Sequence, residues 1–396
     1  MEPGPPTREA PASEGWPARL RRDAPALFRT LVFWVVAEAL AVLLLPAIVP
    51  RHVALSWYLG PEARESTREF LADAHPFLVY DPVTGWRNRP GCGEGNWHID
   101  RIGSRSTHPL GMERTRPRRL LFLGNSLVNG GFHVRPAETI SAYCEDSLTE
   151  AGNFATMLYS LDQMVLAYQG GLDRFGADVV VVGLPALPGN GLTSRYVPFL
   201  QRSQVRMPYF KPRFVLEGDT LRLVPVPSRG RWRSMLNSSA VLDTLARDDG
   251  YAGEFASYRR FGLTPLAAGL RVVFDRSRNI VRRLRGEMEA MPLARRLMHE
   301  LVASAARHDA RVIFVVLLQR PETFPSRLRR LLPDRYGETV SGLRREGFVL
   351  LDSREVLRAS GLPPGRLFTP DGKHLMPAAN RLIAARLRGM LGRTPA

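Results

Sequence analysis

From Arg118 onward, short apolar runs alternate with amphipathic stretches. Leu120 to Leu123, Phe154 to Leu158, Asp178 to Gly183, Arg311 to Leu317 and Gly347 to Leu351 have the length and composition of strands buried on both faces. Between and after them, apolar positions at helical spacing predict helices over Ala137 to Ala151, Leu161 to Phe175, Pro292 to His308 and Ala378 to Met390. Strands alternating with helices make an α/β chain, and they predict a three-layer α/β/α sandwich around a parallel sheet. Such a sheet places its ligands at the carboxyl ends of its strands.

Two stretches interrupt this rhythm. Between the third and fourth strands lies an insertion from Asn190 to Met291, far longer than an ordinary connection. Arg213 to Val226, with Glu217-Gly218-Asp219 at its middle, predicts a β-hairpin, and Ser238 to Glu289 predicts mostly helix. A module of that length serves as a lid, a substrate wall, a partner surface or a cover for the sheet edge.

The N-terminal part is patterned differently. Residues 1–26 are rich in Pro, Ala and charge and predict a disordered cytoplasmic tail. Residues 27–50 are apolar enough for a transmembrane helix, with the strongest run from Leu31 to Val49. Arg19, Arg21, Arg22 and Arg29 flank its start, which by the positive-inside rule puts the tail in the cytoplasm and the body on the periplasmic side. The expectation is a single-pass protein of the cytoplasmic membrane. Residues 51–117 predict a short helix over Pro61 to Ala74 and then an extended arm packing on the main domain, which spans 118–396. Gly91, Gly93 and Gly95 neither follow a strand nor open a helix, so they make no dinucleotide site.

Charge changes this picture little. The chain has 396 residues and a formal net charge of +17. Lys211 and Lys373 are its only lysines, and the arginines are scattered without a nucleic-acid motif, so solvated faces explain them. A basic surface still suits acidic glycans or anionic head groups. Cys92 and Cys144 are the only cysteines; an oxidising compartment permits a disulfide without requiring one. His75, His98 and His108 have no regular spacing and suit surface or hydrogen-bonding roles better than metal ligation.

The candidate chemistry lies at the two ends of the main domain. Gly124-Asn125-Ser126 breaks the first strand and places a serine at a strand-to-helix turn, where free N–H groups face developing negative charge. In Asp371-Gly372-Lys373-His374, an acid three residues before a histidine can hold one imidazole nitrogen and leave the other for the serine.

With Gly124-Asn125-Ser126-Leu127-Val128-Asn129-Gly130 and Asp371-Gly372-Lys373-His374 together, the chain from about Arg118 to its end resembles the SGNH or GDSL-type hydrolase superfamily. There a GDSxxxG block follows the first strand and a DxxH block precedes the last helix; Asn125 stands here where the family has Asp. The resemblance implies a flavodoxin-like sheet, no cofactor, Ser126 as nucleophile, His374 as base and Asp371 as the acid that orients it. It also implies oxyanion donors at Ser126, at a glycine after the second strand and at an asparagine after the third. By register Leu158 occupies the glycine position, and Gly183 to Asn190 lacks the asparagine unless Asn190, or Asn129, swings in.

The implied activity is serine-dependent hydrolysis of acyl esters, with O-acyl groups of envelope glycans as substrate. An O-acyltransferase of cell-surface polysaccharide, working beside a membrane acyl-donor partner, is the alternative enzyme. A non-catalytic envelope binding or scaffold module is the alternative outside enzymes.

Overall fold

The computed structural model describes residues 16–48, 61–186, 188–189, 191–197, 207, 209–238, 244–245, 247–250, 289–325 and 334–392. The chain divides into two compact units, Met1–Val53 with Arg260–Asn279, and Ala54–Arg259 with Ile280–Ala396. In the first, helix α1 (Trp16–Ile48) runs for 33 residues. It starts inside the stretch expected to be a tail. Its side chains are described from 24 to 40, where Leu27, Phe28, Leu31, Phe33, Trp34 and Val35 are all exposed. Among the described residues no helix is long and apolar enough to cross a membrane. The apolar run of α1 continues to Ile48, beyond the last described side chain.

The second unit is built on five parallel strands, β1 (Arg118–Leu123), β2 (Thr149–Asn153), β3 (Val179–Leu184), β4 (Arg311–Val316) and β5 (Leu350–Asp352). Their order is β5-β4-β3-β1-β2, so the chain reverses direction across the sheet between β1 and β3. This is the flavodoxin-like order, and the crevice at the carboxyl ends of β1 and β3 is its switch point.

Alternate residues of each strand feed two cores. Leu121, Leu123, Val180, Val182, Phe314 and Val316 meet helices α5 (Leu161–Gln169) and α6 (Met291–Ala306) on one face. Leu120, Phe122, Val179, Val181, Ile313 and Val315 meet α4 (Ile140–Cys144) and α7 (Pro377–Leu391) on the other. Burying each such side chain contributes about 1.5–3 kcal/mol, which favours this register over any one-residue slip.

Two expectations are corrected here. The second strand is Thr149–Asn153, not Phe154 to Leu158, and the helix expected over Ala137 to Ala151 shrinks to α4. β2 carries Thr149, Glu150 and Asn153, all buried. Polar partners satisfy them: Glu150 pairs with Arg119, and Asn153 Nδ2 donates to Val128 O at 3.2 Å and Ser141 Oγ at 3.0 Å. An apolar-run criterion passes over such a strand.

The arm is part of the core. Phe70 and Leu71 of α2 (Pro61–Leu71), and Leu78 and Trp86 of an antiparallel hairpin (Leu78–Asp81 with Gly85–Asn88), are fully buried in the first core. Leu192, Tyr196, Tyr209, Phe210, Trp232 and Met235 of the insertion join them there. Phe70 stacks on Tyr209 with ring centroids 4.1 Å apart. Gly85 has φ +92°, and a Cβ there would lie 2.3 Å from Phe210 O, so only glycine lets the arm and the insertion approach so closely. The buried Lys211 ammonium pairs with Asp162 of α5.

The hairpin expected in the insertion pairs Arg213–Glu217 with Thr220–Val224. The helical stretch expected from Ser238 to Glu289 lies outside the described residues, apart from its ends and residues 244–245 and 247–250. Cys92 and Cys144 are free thiols. Burial in the second core pushes the Cys144 thiol up to about 12, which keeps it unreactive at neutral pH.

Candidate active site

β1 ends at Leu123 and the chain turns through Gly124 and Asn125 into α3 (Ser126–Asn129). The turn is tight because α3 is pressed onto the sheet. Cβ atoms added at Gly124 and Gly183 would lie 2.3 and 2.0 Å from Val128 Cγ2. Asn125 caps the helix, its side-chain oxygen accepting from Leu127 N–H at 2.9 Å. It thereby performs the structural part of the role that an Asp would have. α3 is only four residues long and the N–H groups of Leu127, Val128 and Asn129 all donate to Asn125, so Ser126 has its own free N–H and not the field of a long helix.

The contact with Val128 gives a stability test. Gly183→Ala is expected to destabilise the fold by about 1–3 kcal/mol, the usual range for overpacking. Adding Val128→Ala should recover part of that loss, and strictly additive losses in thermal unfolding would rule out the contact.

His374 Nε2 lies 3.1 Å from Ser126 Oγ. The loop that carries it is closed on itself: His374 N–H donates to Thr369 Oγ1 at 3.1 Å, and Thr369 N–H donates to His374 O at 3.0 Å. Asp371 is in this loop but makes no hydrogen bond to the imidazole. Its Oδ1 accepts from Thr369 Oγ1 at 2.6 Å and from Lys373 N–H at 3.1 Å, and these bonds hold its carboxyl below the usual range. His374 Nδ1 is buried without a hydrogen-bond partner among the described residues. The expected triad is therefore a Ser–His pair with a carboxylate acting through space. Burial lowers the pKa of His374 below that of an ordinary histidine, and His133 pushes the same way against Asp371. The ring is held neutral, as a general base requires.

Ser126 N–H and Leu158 N–H donate to no acceptor among the described residues. Leu158 has φ +63°, the left-handed conformation that glycine adopts freely and that costs a leucine about 1–2 kcal/mol. The backbone thus keeps the glycine geometry despite the larger side chain. Asn129 is corrected as an oxyanion candidate: it is fully buried, and its Nδ2 donates to Ala155 O at 2.8 Å. Its Oδ1 accepts from Arg105 and from Gly131 N–H, so its amide is tied into the fold. Asn190 lies outside the described residues.

Sequence patterning missed two residues. Gly130 and Gly131, with φ +88° and +57°, reverse the chain so that the His133 ring lies beside His374, with centroids 4.6 Å apart and planes at 34°. Arg105 holds that reversal. Its buried guanidinium donates to Asn129 O and Gly131 O at 2.6 and 2.5 Å, and to Val134 O and Asn96 O at 2.6 and 2.7 Å. Burial lowers its pKa to about 10, and it packs over Trp97 with its carbon 5.2 Å from the ring centroid. The Gly130-Gly131 pair was the available signal for the reversal; nothing in the sequence marks Arg105. His75 Nδ1 accepts from Phe77 and Leu78 N–H, and burial lowers its pKa to about 4.

Neither a family model nor a curated protein sequence matches the chain. Solved structures do. One is a protein from Slackia heliotrinireducens assigned to the SGNH hydrolases, at 15% identity over 70% of this chain and 100% of that one, TM-score 0.32. Another is a member of the lipolytic G-D-S-L family from Veillonella parvula, at 9% identity over 70% and 100%, TM-score 0.33. A third is an acetylxylan esterase from Geobacillus stearothermophilus, at 14% identity over 71% and 97%, TM-score 0.33. At these TM-scores the chemistry of the site rests on its own geometry.

Proposed function

We propose that this protein is a serine-dependent acyl-ester hydrolase of the SGNH type, acting on O-acyl groups of envelope glycans. The observation that carries this reading is the 3.1 Å contact between Ser126 Oγ and a neutral His374 Nε2 at the switch point of the sheet. Ser126 Oγ attacks the acyl carbonyl carbon while its proton passes to His374 Nε2. The tetrahedral oxyanion accepts from Ser126 N–H and Leu158 N–H. Its collapse breaks the ester C–O bond, and the leaving sugar oxygen takes the proton from Nε2. Water then gives a proton to Nε2 as it attacks the acyl carbon; collapse breaks the acyl C–Oγ bond, Ser126 Oγ takes the proton back from Nε2, and the carboxylic acid leaves. Asp371 steadies the transient imidazolium by charge alone. Among the described residues no third donor stands in for the family asparagine, and loss of one oxyanion donor costs about 100- to 1000-fold in rate, so a slow enzyme is expected.

The placement at the cytoplasmic membrane, with the catalytic unit outside, belongs to the same proposal. Exposed apolar side chains on α1 and the arginines in its N-terminal part support an anchor. A net charge of +17 suits an acidic glycan.

Intact-mass measurement of the full-length protein after exposure to a fluorophosphonate tests the nucleophile. A single adduct that disappears in Ser126→Ala is expected. No adduct on the folded wild-type protein would overturn the hydrolase reading and favour a binding module.

A further inference from the structure

We infer that His133 is the residue that positions the His374 imidazole, by stacking against its face, and that it takes over the orienting role which Asp371 does not perform. This rests on the proposed Ser–His chemistry and deepens it. A histidine that accepts a proton at Nε2 must carry its own proton at Nδ1, and both its tautomer and its ring plane are ordinarily fixed by an acceptor at Nδ1. Here Nδ1 is buried and has no partner among the described residues. The carboxylate that would fill that place, Asp371, is exposed and its Oδ1 is taken by Thr369 Oγ1 and Lys373 N–H.

What touches the ring is the Gly130–His133 reversal. The His133 ring lies 4.6 Å away, tilted 34°, and an ideal Cβ on Gly131 would be 4.0 Å from both His374 Cδ2 and Nε2. A Cβ there would make only ordinary contact, and it is the φ of +57° that favours glycine at 131. The reversal is itself rigid, because buried Arg105 gathers the carbonyls of Asn129, Gly131 and Val134. The backbone that carries His133 is thus placed by the fold, although its own side chain is exposed.

Stacking carries a signature that a hydrogen-bonded acid lacks. His133 beside His374 lowers the pKa of that ring, whereas a carboxylate at Nδ1 would raise it. Asp371 and Lys373 are the other charged groups that act on His374, and they act in opposite senses. Removing His133 while keeping an aromatic face should therefore preserve the ring's position and raise its pKa.

The test compares His133→Ala, His133→Phe and Asp371→Asn in the full-length protein, with a neutral aryl acetate as substrate. His133 is exposed, so unchanged thermal midpoints are expected for both of its variants. For His133→Ala, kcat should fall by about 10- to 100-fold with KM nearly unchanged, the size of effect that misplacing a reacting group produces. His133→Phe should recover kcat to within about threefold of wild type and move the acid limb of kcat/KM to higher pH. Asp371→Asn should cost less than about tenfold. If Asp371→Asn is as damaging as His374→Ala while His133→Ala is not, Asp371 orients the ring and the inference is wrong. If His133→Phe is no better than His133→Ala, or His133→Ala raises KM alone, stacking has no positioning role. A wild-type protein that takes no fluorophosphonate label would instead defeat the hydrolase reading itself.

Discussion

Ser126→Ala and His374→Ala are each expected to lower hydrolysis of a neutral aryl acetate by on the order of 10⁴-fold or more, and the double variant to lose no further activity. Nucleophile and base form one unit: without the serine there is no proton for His374 to take, and without the histidine Ser126 stays a neutral, weakly nucleophilic alcohol. The residual rate should be that of a pocket that binds the ester and supplies N–H groups from Ser126 or its replacement and from Leu158. Neither substitution should disturb folding, because both side chains are half-exposed and neither fills a core. Losses that multiply in the double variant would mean that the two residues act independently, and the 3.1 Å contact would then be without catalytic meaning. Retained activity in either single variant would remove that residue from the site.

The parts of this site that were legible in the sequence are those written in local patterns. Leu120 to Leu123 is apolar on successive positions because both faces of β1 are covered, and Gly124 follows because Val128 leaves no room for a Cβ. Asp371 to His374 is a spacing, and the spacing did place His374 against Ser126 across 248 residues of chain. It could not decide where the Asp371 carboxylate points, since Thr369 Oγ1 competes for it within the same loop. β2 was displaced by about one strand length because its buried polar residues depend on partners far away in sequence. Leu158 looked like a departure from the family glycine, yet its φ of +63° keeps the glycine conformation. Arg105 lies beyond any pattern: four of its five acceptors are backbone carbonyls, which carry no side-chain signature.

Glu150→Ala is expected to cost the fold about 3–5 kcal/mol at neutral pH, the cost of breaking a buried ion pair and leaving one partner unpaired. That is a large share of a typical total stability of about 5–15 kcal/mol. The side chains of Glu150 and Arg119 are 0% and 1% exposed and meet at 2.6 Å. Arg119 also donates to Met112, Phe175, Gly111 and Glu113 carbonyls, and its guanidinium lies 4.0 Å over the Phe175 ring. Removing the carboxylate leaves that cation buried with neutral acceptors only. Burial alone would raise the Glu150 carboxyl, but hydrogen bonds from the Thr115 hydroxyl and N–H, with Arg119, outweigh it and hold it below its ordinary value. A carboxyl lowered in the folded state stabilises it fully above its unfolded pKa of about 4.3, and that contribution fades as pH falls through the folded value. The gap in denaturant midpoint between wild type and Glu150→Ala should therefore be wide at neutral pH and narrow in acid. Glu150→Gln keeps an acceptor for Thr115 and should fall between them. A gap that stays constant down to acid pH would mean that lost packing, and not the charge, is what Glu150→Ala removes.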